Sequence, residues 1–432
     1  MGRPSRVYHL VDGHPRPWGE CVAPVAERVH AAPPKAISFE EAVASYGEGI
    51  ARHLSASRAA SLARPEAQAE GRGMARGTPR TAQERANAFA SEIVGTYAPA
   101  HRNRHRERSS RVPKMVRDVP GEDSHGDPVL VAGASGFLGR AIVRALARQG
   151  RQVRGLVRDS ARADWVRADG GIPVVGDVLD RESVLRATRS CRGIVHVAAN
   201  PPATQGPEDL ARRVRVEGAR NLVEAARVNR VERLVIGSGY WVYPSQPGTV
   251  TEDSVVRPEG EAKNNYDAER VALDAGISGS LEVMVVRPGM VYGDGAWFRP
   301  TFDAIRSGEY RTIDRGENLW SFVSLEDTGA GFATVLESGR PFQVYNLVDG
   351  HPRPWGEFVA HVAERVHVAP PKAISFEEAV ASYGEGIARH LSANRAASSA
   401  KLEALGWRPR YPSFPDGVDS LIAEIERRPG RT

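Results

Sequence analysis

The chain has 432 residues, of which 41% are hydrophobic and 26% charged, with a formal net charge of +5 and a pI near 9.3. That is long enough for more than one ordinary domain and for a large buried core, and the charge excess is too small for its length to point to nucleic acid as a partner. No apolar run reaches the roughly 18 residues of a membrane span, and two cysteines, Cys21 and Cys191, suit a reducing cytoplasm better than a disulfide framework.

The N-terminus, MGRPSRVYHLVDG, lacks the apolar core of a signal peptide. Gly2 is present, but Arg6 stands where a myristoylation signal needs Ser or Thr. An internal repeat follows at once. Val7–Ser61 recurs as Val344–Ser398, and the copies differ only at His9/Asn346, Cys21/Phe358, Pro24/His361, Ala31/Val368 and Ser57/Asn394. Two distant copies are not a solenoid. The expectation is that residues 1–61 are an orphan duplicate of the 338–398 region. A disordered basic linker, 62–127, would follow, rich in Arg, Ala, Gly and Glu. Its basic run His101–Arg111 reads as a solvated linker more readily than as a nucleic-acid or acidic-partner patch. Residues 1 to about 114 then look like a duplicated gene end plus translated spacer, with Met115 as the natural start. Alternatively, the strand Val7–Val11 and the helix Trp18–Val29 of the first copy compete for the place of the second, or swap between subunits. A piece of about 55 residues alone buries too little surface to be reliably stable.

The decisive stretch is Pro128–Arg140, PVLVAGASGFLGR. The apolar run Val129–Ala132 enters a glycine turn, and an amphipathic segment follows from Ala141 to Gln149. Gly133 suits the tight turn, Gly136 lets backbone approach a pyrophosphate, and Gly139 lets helix pack on strand. The helix N-terminus offers N–H groups and a positive dipole end to phosphates. Such a pattern is weak alone, but here strand and helix flank it correctly.

A second strand, Gln152–Val157, ends at Arg158, with Asp159 and Arg162 beyond. A basic residue there meets the 2′-phosphate of NADP, whereas Asp159 keeps NAD open. Ile172–Val175 ends in Gly176-Asp177-Val178-Leu179-Asp180, where Asp177 suits the adenine amino group or Asp180 caps the helix Arg181–Thr188. Gly193–Val197 ends in the small residues Ala198-Ala199-Asn200, over which a cofactor can lie. A helix Asp209–Val228 should pack Val214, Val216, Leu222 and Ala225 on the sheet. Arg233–Gly237 leads to Ser238-Gly239-Tyr240, and Glu282–Val286 leads to Arg287-Pro288-Gly-Met-Val291-Tyr-Gly293. Strand and helix alternate, so the fold class is α/β, a doubly wound parallel sheet of Rossmann type, with ligands beyond the carboxyl ends of the strands. No histidine or cysteine spacing suggests a metal. Ile236-Gly-Ser238-Gly-Tyr240 is close to a G-x-S-x-G elbow, yet nothing assigns its acid and histidine partners.

These residues resemble the extended or atypical short-chain dehydrogenase/reductases, the NAD(P)-dependent epimerase/dehydratase family. The matching pieces are GASGFLG at Gly133, GDVLD at Gly176, HVAAN at His196, VEGARNLVEAA at Val216, RPGMVYGDG at Arg287, WSFVSLEDTGAG at Trp320, VYNLVDG at Val344 and KLEALGWRPRYPS at Lys401. The resemblance implies a cofactor domain over 128–294 and a substrate lobe over 295–432, with 343–349 returning as a strand to the large sheet. It implies NADP, or NAD, held by Gly133, Ser135, Gly136, Phe137, Leu138, Gly139, Arg158, Asp177, Val178, Ala198, Ala199, Pro288 and Val291, together with Tyr266 and Arg270. The expected substrate is a sugar nucleotide or a small hydroxy or keto compound. A homodimer is a further expectation.

In that family a Tyr in Y-x-x-x-K shuttles the hydroxyl proton, the Lys lowers its pKa, and a Ser or Thr binds the substrate oxygen. Here Tyr266 is present, and Arg270 stands in the lysine's place. Arginine keeps the charge but is bulkier and planar. Aligned on Val242-Tyr243, the hydroxyl position falls on Gly239, with Ser238 one residue earlier. Tyr266, Arg270 and Ser238 are therefore the candidate catalytic set. The rival is a low-turnover NADP-binding sensor or partner-binding protein with a degenerate site.

Overall fold

The computed structural model describes residues 127–199, 208–277 and 279–427. The first repeat copy, the basic run, Met115 and Asn200 lie outside them. In chain order the first half comprises β1 (Val129–Ala132), α1 (Phe137–Arg148), β2 (Val153–Val157), α2 (Ala163–Ala168), β3 (Ile172–Val175), α3 (Arg181–Ala187), β4 (Gly193–His196), α4 (Glu208–Arg212), α5 (Gly218–Asn229) and β5 (Arg233–Gly237). Then come β6 (Thr249–Val250), α6 (Ala262–Ile277), β7 (Glu282–Pro288), β8 (Met290–Tyr292), α7 (Phe298–Arg306), β9 (Arg311–Ile313), β10 (Leu319–Trp320), β11 (Phe322–Ser324) and α8 (Leu325–Ser338). The chain closes with β12 (Val344–Leu347), β13 (Arg353–Pro354), α9 (Trp355–Arg365), β14 (Lys372–Ile374), α10 (Phe376–Tyr383), α11 (Glu385–Leu391), β15 (Ala396–Ala397), α12 (Ala400–Glu403) and α13 (Phe414–Arg427).

Seven strands form one sheet in the order β12-β7-β5-β4-β1-β2-β3, every pair parallel. The order reverses between β1 and β4, the switch point where such sheets bind ligands. Both faces are covered, as parallel sheets require. Val129 and Val131 of β1 pack towards α1 and α8, whereas Leu130 and Ala132 pack towards α3, α5 and α6. β12 adds in register beside β7, with Val344 opposite Val285.

Several boundaries differ from expectation. α1 begins at Phe137 rather than Ala141, because the glycine turn itself feeds the first helical turn. β7 runs on through Pro288 rather than ending at Val286. The long helix expected over Asp209–Val228 is broken by a π turn, Arg213–Glu217, which separates α4 from α5. One extra residue in a turn leaves the apolar spacing nearly intact, so Val214, Val216, Leu222 and Ala225 still all reach the core.

The short strands pair outside the main sheet: β8 with β11, β9 with β14, β10 with β13 and β6 with β15. They surround an aromatic cluster centred on Phe358, whose ring stacks on Phe322 at 4.8 Å and on Trp355 at 5.1 Å. Two- and three-residue strands carry no periodic signal.

Candidate cofactor and catalytic site

Gly133 has φ +94°, and a Cβ there would stand 2.7 Å from the backbone of Ala198. The first loop glycine is thus pressed against the end of β4, at the switch point. A Cβ on Gly139 would collide with the Gly133 carbonyl, so this residue brings α1 onto the turn. Gly136 meets only the Gly133 oxygen, at 3.2 Å. It is the N-cap of α1, with no side chain capping the helix and no acidic residue in its first turn. The dipole end is left for an anion. Ser135, Phe137 and Leu138 lie within this turn and are largely buried.

Arg158 is exposed directly beyond β2. Its neighbour Asp159 is engaged locally: its carboxylate accepts the Ala161 N–H at 2.9 Å and caps a short 3-10 turn. Asp177 likewise accepts the Leu179 N–H at 2.9 Å, and Asp180 caps α3 through Glu182 N–H at 3.1 Å. Val178 is buried beside them, Ala198 and Ala199 are half-buried beyond β4, Pro288 ends β7, and Val291 is fully buried in β8. All but Val291 fall at the carboxyl end of the sheet.

Ser238 follows β5, but its hydroxyl is donated to Glu269 Oε1 in α6. Glu269 in turn binds Arg287 twice, and Arg287 Nη1 donates to the Tyr243 hydroxyl at 2.9 Å. Tyr243 donates to Asn346 Oδ1 at 2.9 Å. This chain of buried polar groups ties β5, α6, β7 and β12 together. The sequence singled out neither Glu269 nor Asn346, and Tyr243 served there only to align the hydroxyl position; in the fold Tyr243 is 1% exposed. The serine-elbow alternative finds no support, since Ser238 is bonded to a carboxylate rather than to a histidine.

Tyr266 and Arg270 are one turn apart on α6, both half-buried. Burial pushes the Tyr266 phenol above its ordinary value, and Glu269 adds to the rise; Arg270 and Arg287 pull it down without reversing it. The expected lowering by Arg270 is therefore present but outweighed. Beside them, a Cβ on Gly239 would stand 3.3 Å from Trp241 Cδ1 and 3.6 Å from Asn265 Nδ2. Among the described residues no group of three or more His, Cys, Asp or Glu is placed to hold a metal. No described helix is long and apolar enough to cross a membrane.

The family model for the NAD dependent epimerase/dehydratase family matches residues 129–347. The chain belongs to this family. A 3-diazoavenalumate denitrifying reductase of Streptomyces sp is 31% identical over 67% of this chain and 98% of that protein. A 4-hydroxy-2-methyl-3-oxo-4-farnesyl-3,4-dihydroquinoline-1-oxide ketoreductase of Stigmatella aurantiaca is 30% identical over 63% of this chain and 84% of its own length. The UDP-glucose 4-epimerase of Thermus thermophilus, solved with NAD, superposes with a TM-score of 0.59 at 26% identity, covering 69% of this chain and 99% of that one.

As an epimerase/dehydratase-family member, the protein is an NAD(P)-dependent enzyme of the extended short-chain type. The residues present fit a dinucleotide: a Cβ would fill the cradle at Gly133 and Gly139, and small residues end β4. When bound, the nicotinamide supplies or accepts hydride.

Proposed function

We propose that the protein is an NADP-dependent oxidoreductase acting on a small hydroxy or keto compound, with Tyr266 as the proton shuttle. Arg158 carries the cofactor reading. It stands exposed past β2, where a 2′-phosphate would lie, while Asp159, the residue that would favour NAD, is engaged with Ala161. The two curated relatives described above are reductases, which supports a small keto substrate over a sugar nucleotide.

In the reducing direction the carbonyl carbon receives hydride, and the Tyr266 hydroxyl gives its proton to the carbonyl oxygen. Arg270 and Arg287 stabilise the phenolate that remains. Ser238, held by Glu269, offers its remaining lone pairs rather than its proton. Gly136 and the open N-terminus of α1 receive the pyrophosphate, with Gly139 holding the helix against the turn. The low-turnover alternative is favoured by Gly239, which brings no hydroxyl to the substrate oxygen, and by the raised Tyr266 phenol.

The test is fluorescence titration of NADPH and NADH against the full chain and Arg158→Asp. NADPH should bind about tenfold tighter, a difference of ~1.4 kcal/mol, and the variant should lose that preference. Equal or tighter NADH binding by the unaltered chain would sink the NADP assignment.

A further inference from the structure

Just past Ser238, Trp241 is half-buried and holds an unusual set of neighbours. Its ring lies 4.3 Å from the His390 ring and 5.6 Å from Trp320, and the Arg395 guanidinium carbon stands 4.7 Å from its centroid. These partners come from α11, β10 and the segment before β15, far along the chain.

The polar atoms around this tryptophan are not satisfied by the protein. Arg395 Nε is buried without a partner, and so are His390 Nε2 and Asn265 Oδ1. Arg395 Nη1 donates to the His390 carbonyl at 3.1 Å, and the carboxylate that acts on it, Glu259, does so through its charge and not through a direct ion pair among the described residues. Burial pulls the Arg395 guanidinium and the His390 imidazole below their usual values, and the charge of Glu259 works against the fall at Arg395 without reversing it. Buried polar groups are ordinarily paired, and a desolvated cation without a counter-ion is costly. Orphaned nitrogens of two residues beside one aromatic ring, with Asn265 next to Gly239 close by, mark a place where something polar binds.

The place adjoins the chemistry. Asn265 precedes Tyr266 on α6, and Gly239, whose Cβ would touch both Asn265 and Trp241, is two residues from Trp241. We propose that Trp241, His390 and Arg395 form the recognition wall of the substrate site and select a planar substrate bearing an acidic group, with Arg395 as its counter-ion. The ring packs on Trp241, the carboxylate takes the guanidinium, and Asn265 Oδ1 accepts a hydroxyl or amide proton nearer the reacting carbon. The proposal rests on the oxidoreductase reading above and names its substrate class.

The probes are cinnamate and cinnamamide, which share a planar frame and differ in charge. Each is titrated calorimetrically into the full chain, with and without NADP+, and NADPH binding is measured separately by fluorescence. Cinnamate should bind about tenfold or more tighter than cinnamamide, the worth of one charge-assisted hydrogen bond. Arg395→Gln should abolish that difference and leave the NADPH affinity unchanged, Arg395→Lys should restore part of it, and Trp241→Leu should weaken both ligands. If Arg395→Gln does not fold, loss of the cinnamate preference at high salt in the unaltered chain decides the same point. Equal affinities for the two probes, or no binding of either, would overturn the proposal, and the first result would leave water as the partner of the orphaned atoms. A chain that prefers cinnamate but does not bind NADPH would sustain this site and defeat the cofactor reading.

Discussion

Glu269 and Arg287 meet fork to fork inside the protein. Glu269 Oε2 lies 2.6 Å from Arg287 Nη2 and Oε1 lies 3.0 Å from Nε, with the side chains only 1% and 4% exposed. The pair joins the helix that bears Tyr266 to the strand beside β12, and the same carboxylate accepts the hydrogen bond donated by the Ser238 hydroxyl. Removing one member strands the other as a buried charge. Glu269→Ala should cost about 3–5 kcal/mol in urea unfolding, and adding Arg287→Met should recover a large part of that loss. A double variant no more stable than the single one would show that the pair is not the unit.

Tyr266→Phe should lower kcat by roughly a hundredfold or more, the usual worth of a positioned acid or base. Because burial raises the phenol, alcohol oxidation by the unaltered chain should keep rising with pH through the neutral range. Gly239→Ser supplies the missing hydroxyl at a position whose tightest neighbour, Trp241, is 3.3 Å from the new Cβ. It should raise kcat. Turnover unchanged in Tyr266→Phe would remove the shuttle from that residue.

Asp349, just past β12, is 3% exposed and has one carboxyl oxygen without a partner. Burial pushes its pKa up to about 8, against 3.8 in the unfolded chain. The folded state therefore holds a proton that the unfolded state releases, so stability falls as pH rises from about 4 to 8 and levels above that. Asp349→Asn keeps an acceptor for the His351 N–H and carries no charge. Its melting temperature should exceed that of the unaltered chain at pH 8 and approach it at pH 4. A constant difference at both values would contradict the assignment.

The duplicated segment differs where the second copy is most constrained. Phe358 is fully buried between Phe322 and Trp355, and His361 lies inside α9 with its ring 2.7 Å from Asp419. The first copy has Cys21 and Pro24 at these places. Phe358→Cys should cost about 3–5 kcal/mol, in the range of large truncations, and His361→Pro ~3 kcal/mol or more by interrupting the helix. Both are measurable by urea unfolding. Variants as stable as the parent would mean that Val7–Ser61 can take the place of Val344–Ser398.

The sequence by itself determined the dinucleotide turn and the parallel sheet. Gly133 must adopt a positive φ, Gly139 must lack a Cβ, and β-strand and helix periodicities are read within a dozen residues. The candidate tyrosine and its arginine were legible too, being four apart on one helix. Tertiary structure alone decided where the polar groups end. It gave Ser238 to Glu269, closed Arg287 onto the same carboxylate, and brought His390 and Arg395 to Trp241. It also paired β6 with β15 and β10 with β13, strands too short for any pattern. Such contacts depend on the path of the chain between distant residues. Local propensity carries no record of that path, whereas burial makes the chosen partner obligatory once the chain has folded.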